Sequence, residues 1–230
     1  INGIDYKLYN PYRDKALSVN YSRNSADKKI LNKEALKAEV GLETAVDVPL
    51  IGMIGRLVEH KGLSLMTHVF DEMMSSGIQF VLLGTGDEKF EQFFREKSAQ
   101  YKGKVAAITA FSPELASRIY AGADLFLMPS ISEPCGLAQM IALRYGTIPI
   151  VRATGGLRDS ITPYDPETGK GNGVRFESIN AHDMLDAVQR ALRLYQEPEH
   201  WHRLVQNAFK TDCSWKKSAI EYVELYKSLL

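Results

Sequence analysis

Short, continuously apolar runs alternate along this chain with longer stretches in which apolar residues recur every three or four positions. The runs at 48–54, 78–83, 105–109, 123–128 and 148–151 predict strands. The stretches at 63–74, 87–101, 113–121 and from Gly136 onward predict helices. Strand and helix alternating at this pitch is the pattern of βαβ units, and strands without a polar face belong in a parallel sheet covered on both sides. The expected fold class is α/β.

The flanks differ. Residues 1–30 are rich in Asn, Asp, Pro, Tyr and Ser without a sustained period, and predict a surface arm rather than a core element. A helix is expected at 32–41, with Asn32 as N-cap and Gly41 as its stop. Further on, 181–195 sets Met184, Leu185, Val188, Ala191, Leu192 and Tyr195 on one helical face, and two more helical stretches follow. Ser214 caps the last of these before Trp215, and Ala219, Tyr222, Val223 and Tyr226 form its apolar stripe. The polar segment 163–172 reads as a long loop near the functional sheet edge. The expected division is an entering arm (1–30), a sheet domain (31–212) and a terminal helix (213–230).

The loops that follow the strands carry the candidate chemistry. In an open parallel sheet, ligands bind outside the carboxyl ends of the strands, and here five unusual loops share that edge. The first is Gly55-Arg56-Leu57 leading to Lys61-Gly62; a forked guanidinium and a mobile ammonium suit a diphosphate, although two solvated cations are the plain alternative. Gly84-Thr85-Gly86 follows the second strand and lacks the third glycine of the dinucleotide fingerprint, so close phosphate approach and a simple tight turn stay open. Phe111 ends the third strand, where core packing is favoured over base stacking. Pro129 to Leu137 follows the fourth and contains one carboxylate, Glu133, which either binds ligand hydroxyls or caps the next helix. The N–H groups of Gly136, Leu137 and Ala138 open that helix and suit an anion. Thr154-Gly155-Gly156 repeats the arrangement one strand on and predicts a second anion contact. Cys135 reads as packing.

Composition narrows the classes. Lys+Arg 28 balances Asp+Glu 28, and no basic run alternates with aromatics, so nucleic acid is not an expected partner. No stretch approaches a membrane span. Two cysteines fit a reducing compartment, and the five histidines show no metal-ligand spacing, so no metal or cofactor is expected. The chain begins at Ile1 in the turn Asn2-Gly3-Ile4-Asp5, as a piece cut from a longer protein would.

Taken together, Gly55-Arg-Leu with Lys61-Gly62, Ser132-Glu133-Pro-Cys-Gly-Leu137, Thr154-Gly-Gly-Leu157, Gly171-Asn-Gly173 and Trp215 resemble the bacterial glycogen synthase and plant starch synthase family over nearly the whole chain. The resemblance implies a Rossmann-like parallel sheet with helices on both faces, one half of a two-domain GT-B glycosyltransferase. This chain looks like the carboxyl-terminal, donor-binding half. Such enzymes move glucose from ADP-glucose to the non-reducing end of an α-1,4-glucan acceptor with retention. By motif position, Arg56 and Lys61 would hold the diphosphate, Glu133 the donor hydroxyls, Gly136 to Ala138 a phosphate, Phe111 the adenine, and Thr154 to Gly156 the sugar and phosphate. ADP-glucose and UDP-glucose remain open as donors. The final helix would pack on the missing amino-terminal domain, without which transfer is not expected. The neutral charge and the absence of a transit-type start favour the cytoplasm, or the plastid stroma for a plant protein. The second glutamate that retaining relatives often carry eight positions after the first is Ile141 here.

Three alternatives compete. Another GT-B transferase or epimerase would share Arg56 and Glu133, and a non-catalytic nucleotide- or glucan-binding module would share the fold. A nicotinamide dehydrogenase domain lacks the full glycine fingerprint and the acidic ribose residue.

Overall fold

The computed structural model describes residues 1–45 and 47–229; Val46 and Leu230, which fall within the expected segments 31–212 and 213–230, lie outside the described residues. Strands β1 (Leu50–Ile54), β2 (Gln79–Leu83), β3 (Val105–Ile108), β4 (Leu125–Met128), β5 (Ile148–Arg152) and β6 (Val174–Phe176) form one sheet, ordered β3-β2-β1-β4-β5-β6. Every pairing is parallel. The register sets Ile54 beside Leu83 and Leu83 beside Ile108, so the strands end together. Their order reverses between β1 and β4, and the crevice at such a switch point is where doubly wound sheets bind ligands.

Side-chain alternation assigns the two faces. Leu50, Val81, Leu83 and Ala106 pack with Leu36 and Ile119, which lie on α1 (Lys29–Val40) and α4 (Pro113–Gly122). Ile51, Met53, Phe80 and Leu82 face α2 (Leu63–Ser75), α3 (Glu88–Gln100) and α7 (Ala181–Tyr195), where Phe70 meets Phe80 and Phe94 edge-on. The remaining helices are α5 (Ala138–Arg144), α6 (Gly155–Ser160), α8 (Pro198–Lys210) and α9 (Trp215–Ser228). Ser214 caps α9, its hydroxyl accepting from the Lys217 N–H.

Three local expectations are corrected. Asn32 does not cap α1: the helix starts at Lys29, and buried Asn32 instead bonds both backbone groups of Val19. An Asn side chain can serve as a clamp between segments as readily as a cap. Gly41 does end α1, in the left-handed conformation. The arm is more than a surface segment, since Ile4 pairs with Ser214 and Tyr21 is 1% exposed, its hydroxyl 2.8 Å from the Tyr145 carbonyl. The 163–172 loop lies toward the amino ends of the strands, away from the functional edge. Gly173, which ends it, sits beside the Pro149 carbonyl near the start of β5, and Asn207 of α8 bonds the carbonyls of Gly169 and Gly171.

At the amino end of the sheet, Lys33 of α1 pairs with Asp124 at 2.8 Å, and Asp124 also accepts the Leu50 N–H. Among the described residues, Lys29 beside them forms no ion pair. Its ammonium bonds the Ala121 carbonyl and the Thr147 hydroxyl, and burial pulls its pKa down to about 7. Unfolded lysine holds its proton to about pH 10.4, so between pH 7 and that value the unfolded chain binds more protons and stability rises with pH. The slope cannot exceed about 1.4 kcal/mol per pH unit for one group. Urea unfolding from pH 7 to 9.5 should show this rise in the wild type and lose it in Lys29→Met; identical slopes would reject the assignment.

Candidate functional site

Two adjoining cavities open at the carboxyl ends of the strands. The larger, about 470 Å³, lies between the ends of β1 and β2, the β3–α4 loop, and the arm. Its walls include Ile54, Gly55 and Arg56, then Gly84 and Thr85, then Phe111, Ser112 and Ser117, and finally Leu8, Tyr9 and Asp14. The smaller, about 330 Å³, lies at the switch point and brings Arg56 and Lys61 to Ser130, Glu133, Gly136, Leu137 and Ala138. Tyr9, Gly55, Arg56 and Tyr120 border both.

On the wall of the smaller cavity the Lys61 ammonium lies 2.5 Å from the Glu133 carboxylate. The Ser130 hydroxyl donates to the same Glu133 oxygen at 3.2 Å. An ammonium has three N–H donors, so the bond to Glu133 leaves Lys61 two for a ligand. Arg56 is exposed and pairs with no carboxylate among the described residues, which leaves its guanidinium fork free. Among the described residues, the N–H groups of Gly136 and Leu137 donate to no protein acceptor. Two cations and a set of open N–H groups thus flank one carboxylate, an arrangement suited to an anion joined to a hydroxyl-bearing group.

The remaining candidate residues fall outside these cavities or take other parts. Phe111 is 90% exposed on the rim, so the expectation of core packing is corrected: the β3–α4 loop turns it to solvent. Gly86 lines neither cavity. A Cβ on it would come 2.3 Å from the Leu57 carbonyl, and its N–H bonds Glu91, so this glycine allows the two strand-end loops to touch. Thr154, Gly155 and Gly156 also lie outside both cavities. Gly156 gives its N–H to the Glu133 carbonyl at 3.1 Å, so the second helix start supports the Glu133 loop where an open anion contact was expected.

The arm's part in the site had no periodic signature in the sequence. Asp14 accepts the Tyr145 hydroxyl at 2.5 Å, and burial with that bond pushes the Tyr145 phenol far up. Arg144 bonds the Tyr9 carbonyl and lies 4.3 Å from the Tyr6 ring centre. These contacts fix Tyr9 and Asp14 as one wall of the larger cavity.

The family model for Glycosyl transferases group 1 matches residues 33–211. The chain is 51% identical over 230 residues to the glycogen synthase of Kosmotoga olearia, covering 100% of this chain and 48% of the relative. It is 53% identical to the glycogen synthase of Geobacillus thermodenitrificans, covering 100% of this chain and 47% of the relative. The chain therefore spans about half the length of the curated relatives it matches. Among solved structures, the catalytic domain of starch synthase IV from Arabidopsis thaliana, bound to ADP and acarbose, superposes with a TM-score of 0.92 at 39% identity over 99% of this chain and 48% of that one. A C-terminal domain of a glycosyl transferase group 1 family protein from Francisella tularensis, at 15% identity and TM-score 0.67 over 91% of this chain and 96% of that one, shares the fold. With the sheet order, the switch-point loops and a family match across most of its length in agreement, this chain belongs to the group 1 glycosyltransferases and is a Rossmann-like half of the GT-B fold.

Proposed function

We propose that this chain is the donor-binding half of a glycogen synthase, which transfers glucose from ADP-glucose to the non-reducing end of an α-1,4-glucan with retention. The observation that carries the reading is the Lys61–Glu133 pair at the switch point together with Arg56, which pairs with no carboxylate among the described residues. Arg56 and Lys61 take the diphosphate and neutralise the charge that grows on the departing ADP. Glu133 receives the donor glucose hydroxyls, while Gly136, Leu137 and Ala138 offer backbone N–H groups to phosphate. The nucleoside occupies the larger cavity, with adenine against Phe111 on its rim and Tyr9 and Asp14 closing the arm side.

The acceptor glucan and the remainder of the active site belong to the other half of the protein. Trp215, Ile220, Tyr222, Val223 and Tyr226 of α9 are all exposed, which supports that half as their cover. A bacterial member would work in the cytoplasm.

Calorimetric titration with ADP and UDP tests the reading. ADP should bind one-to-one and more tightly than UDP, and the chain alone should elongate no glucan, because half a cleft cannot align donor and acceptor. A folded chain that binds neither nucleotide, or prefers UDP, would overturn the assignment to an ADP-glucose donor site.

A further inference from the structure

From Ser130 to Gly136, every backbone carbonyl except that of Ser132 is held by a donor on a neighbouring segment. Arg152, at the end of β5 and 9% exposed, gives Nε to the Ser130 carbonyl at 2.8 Å and Nη2 to that of Ile131. Its third nitrogen reaches the Glu177 carbonyl at 3.4 Å, and it pairs with no carboxylate among the described residues. The Gly156 N–H lies 3.1 Å from the Glu133 carbonyl and 3.2 Å from that of Pro134. Gln139, fully buried, spreads its amide N–H groups over the carbonyls of Cys135 and Gly136, at 3.1 and 3.0 Å, and the Ser160 hydroxyl.

Burying a whole guanidinium against carbonyls alone is a costly way to fix a surface loop. The segment it fixes carries Glu133 and the open N–H groups together. A site that must present charge and dipoles in a set geometry gains when that geometry exists before the ligand arrives.

We propose that Arg152 and Gln139 are positioning residues for the donor site, acting at opposite ends of one loop. The inference rests on the donor-site reading above. Arg152 holds the upstream end, next to Ser130, whose hydroxyl bonds Glu133, so it governs the sugar-binding carboxylate. Gln139 holds the downstream end and governs the N–H groups that meet phosphate. The nucleoside cavity contains no residue of this loop, and the diphosphate meets Arg56, Lys61 and the downstream N–H groups, so bare ADP depends less on Arg152, which holds the upstream end, than the sugar does.

The two ends therefore give different signatures when ADP and ADP-glucose are titrated in parallel. In Arg152→Met the ratio of ADP-glucose to ADP affinity should fall about tenfold while ADP binding stays within about threefold, matching Glu133→Gln in kind. Arg152→Lys, which restores a cation without the fork, should give an intermediate ratio. In Gln139→Met both ligands should weaken together. Thermal melts establish that each variant is folded, and if Arg152→Met is not, Arg152→Lys against wild type carries the same comparison. If Glu133→Gln lowers the ratio and the Arg152 variant leaves it unchanged, or weakens both ligands equally, the positioning role is wrong and the donor-site reading stands. If Glu133→Gln leaves the ratio unchanged as well, the donor-site reading fails and this inference with it.

Discussion

Alanine at Arg56 or at Lys61 is expected to weaken ADP binding by roughly 10- to 100-fold, the range that follows from losing a hydrogen bond to a charged group worth about 1.5–3 kcal/mol. The two losses should differ in origin. Arg56 pairs with no carboxylate among the described residues, so its removal leaves nothing unsatisfied and takes away only ligand contacts. Lys61 is the ion-pair partner of Glu133, whose side chain is 11% exposed. Without that ammonium the carboxylate keeps, among the described residues, only the Ser130 hydroxyl as a side-chain partner and would face an incoming diphosphate as a bare like charge. Lys61→Ala should therefore be the more damaging of the two, and adding Glu133→Gln to it should recover part of the ADP affinity by removing the repulsion. Calorimetry on the three variants, with melting curves as controls for folding, checks both the size and the order. Wild-type affinity in both single variants would remove the diphosphate from this edge of the sheet.

Much of the fold was legible because buried parallel strands must be apolar on both faces, and 123–128 and 148–151 announce β4 and β5 without ambiguity. Strand β6 was not, since Val174-Arg175-Phe176 is too short to show a period and stands among polar residues. The arm was underestimated for a related reason: Tyr21 and Ile4 enter the core singly, and a lone inward side chain has no repeat to betray it. Asn32 misled because the residue types that cap helices also clamp loops, and only the distance to Val19 separates the two.

For the site, loops that follow strands could be read, and the structure draws Arg56, Lys61, Glu133 and Gly136 to Ala138 around one cavity. Partners that act from behind the loop could not. Arg152 stands one residue past the run read as a strand at 148–151, and Gln139 lies inside the helix read from Gly136 onward; their meaning lies in which carbonyls they reach. Tyr9 and Asp14 were hidden by distance along the chain, because Tyr145, which fixes Asp14, lies far beyond them.

Two glycines in loops after β1 and β5 should answer alanine in opposite ways. A Cβ on Gly156 would stand 1.9 Å from the Cys135 carbonyl oxygen and 2.5 Å from that residue's Cα, both backbone atoms of the Glu133 loop. Neither side can yield without breaking the Gly156 N–H bond to the Glu133 carbonyl. Gly156→Ala should cost about 3 kcal/mol, the upper end of ordinary overpacking, which in a domain of this size lowers the melting temperature by roughly 6–12 °C. Gly55 borders both cavities, and a Cβ there meets nothing within 4 Å. Gly55→Ala should melt like the wild type and yet bind ADP less well, since the added methyl fills space the diphosphate needs. The pair thus separates a glycine required by the fold from one required by the ligand. A Gly156→Ala chain with unchanged melting would show that the loop relaxes freely, and Gly55→Ala with unchanged ADP affinity would show that the nucleotide does not approach the end of β1.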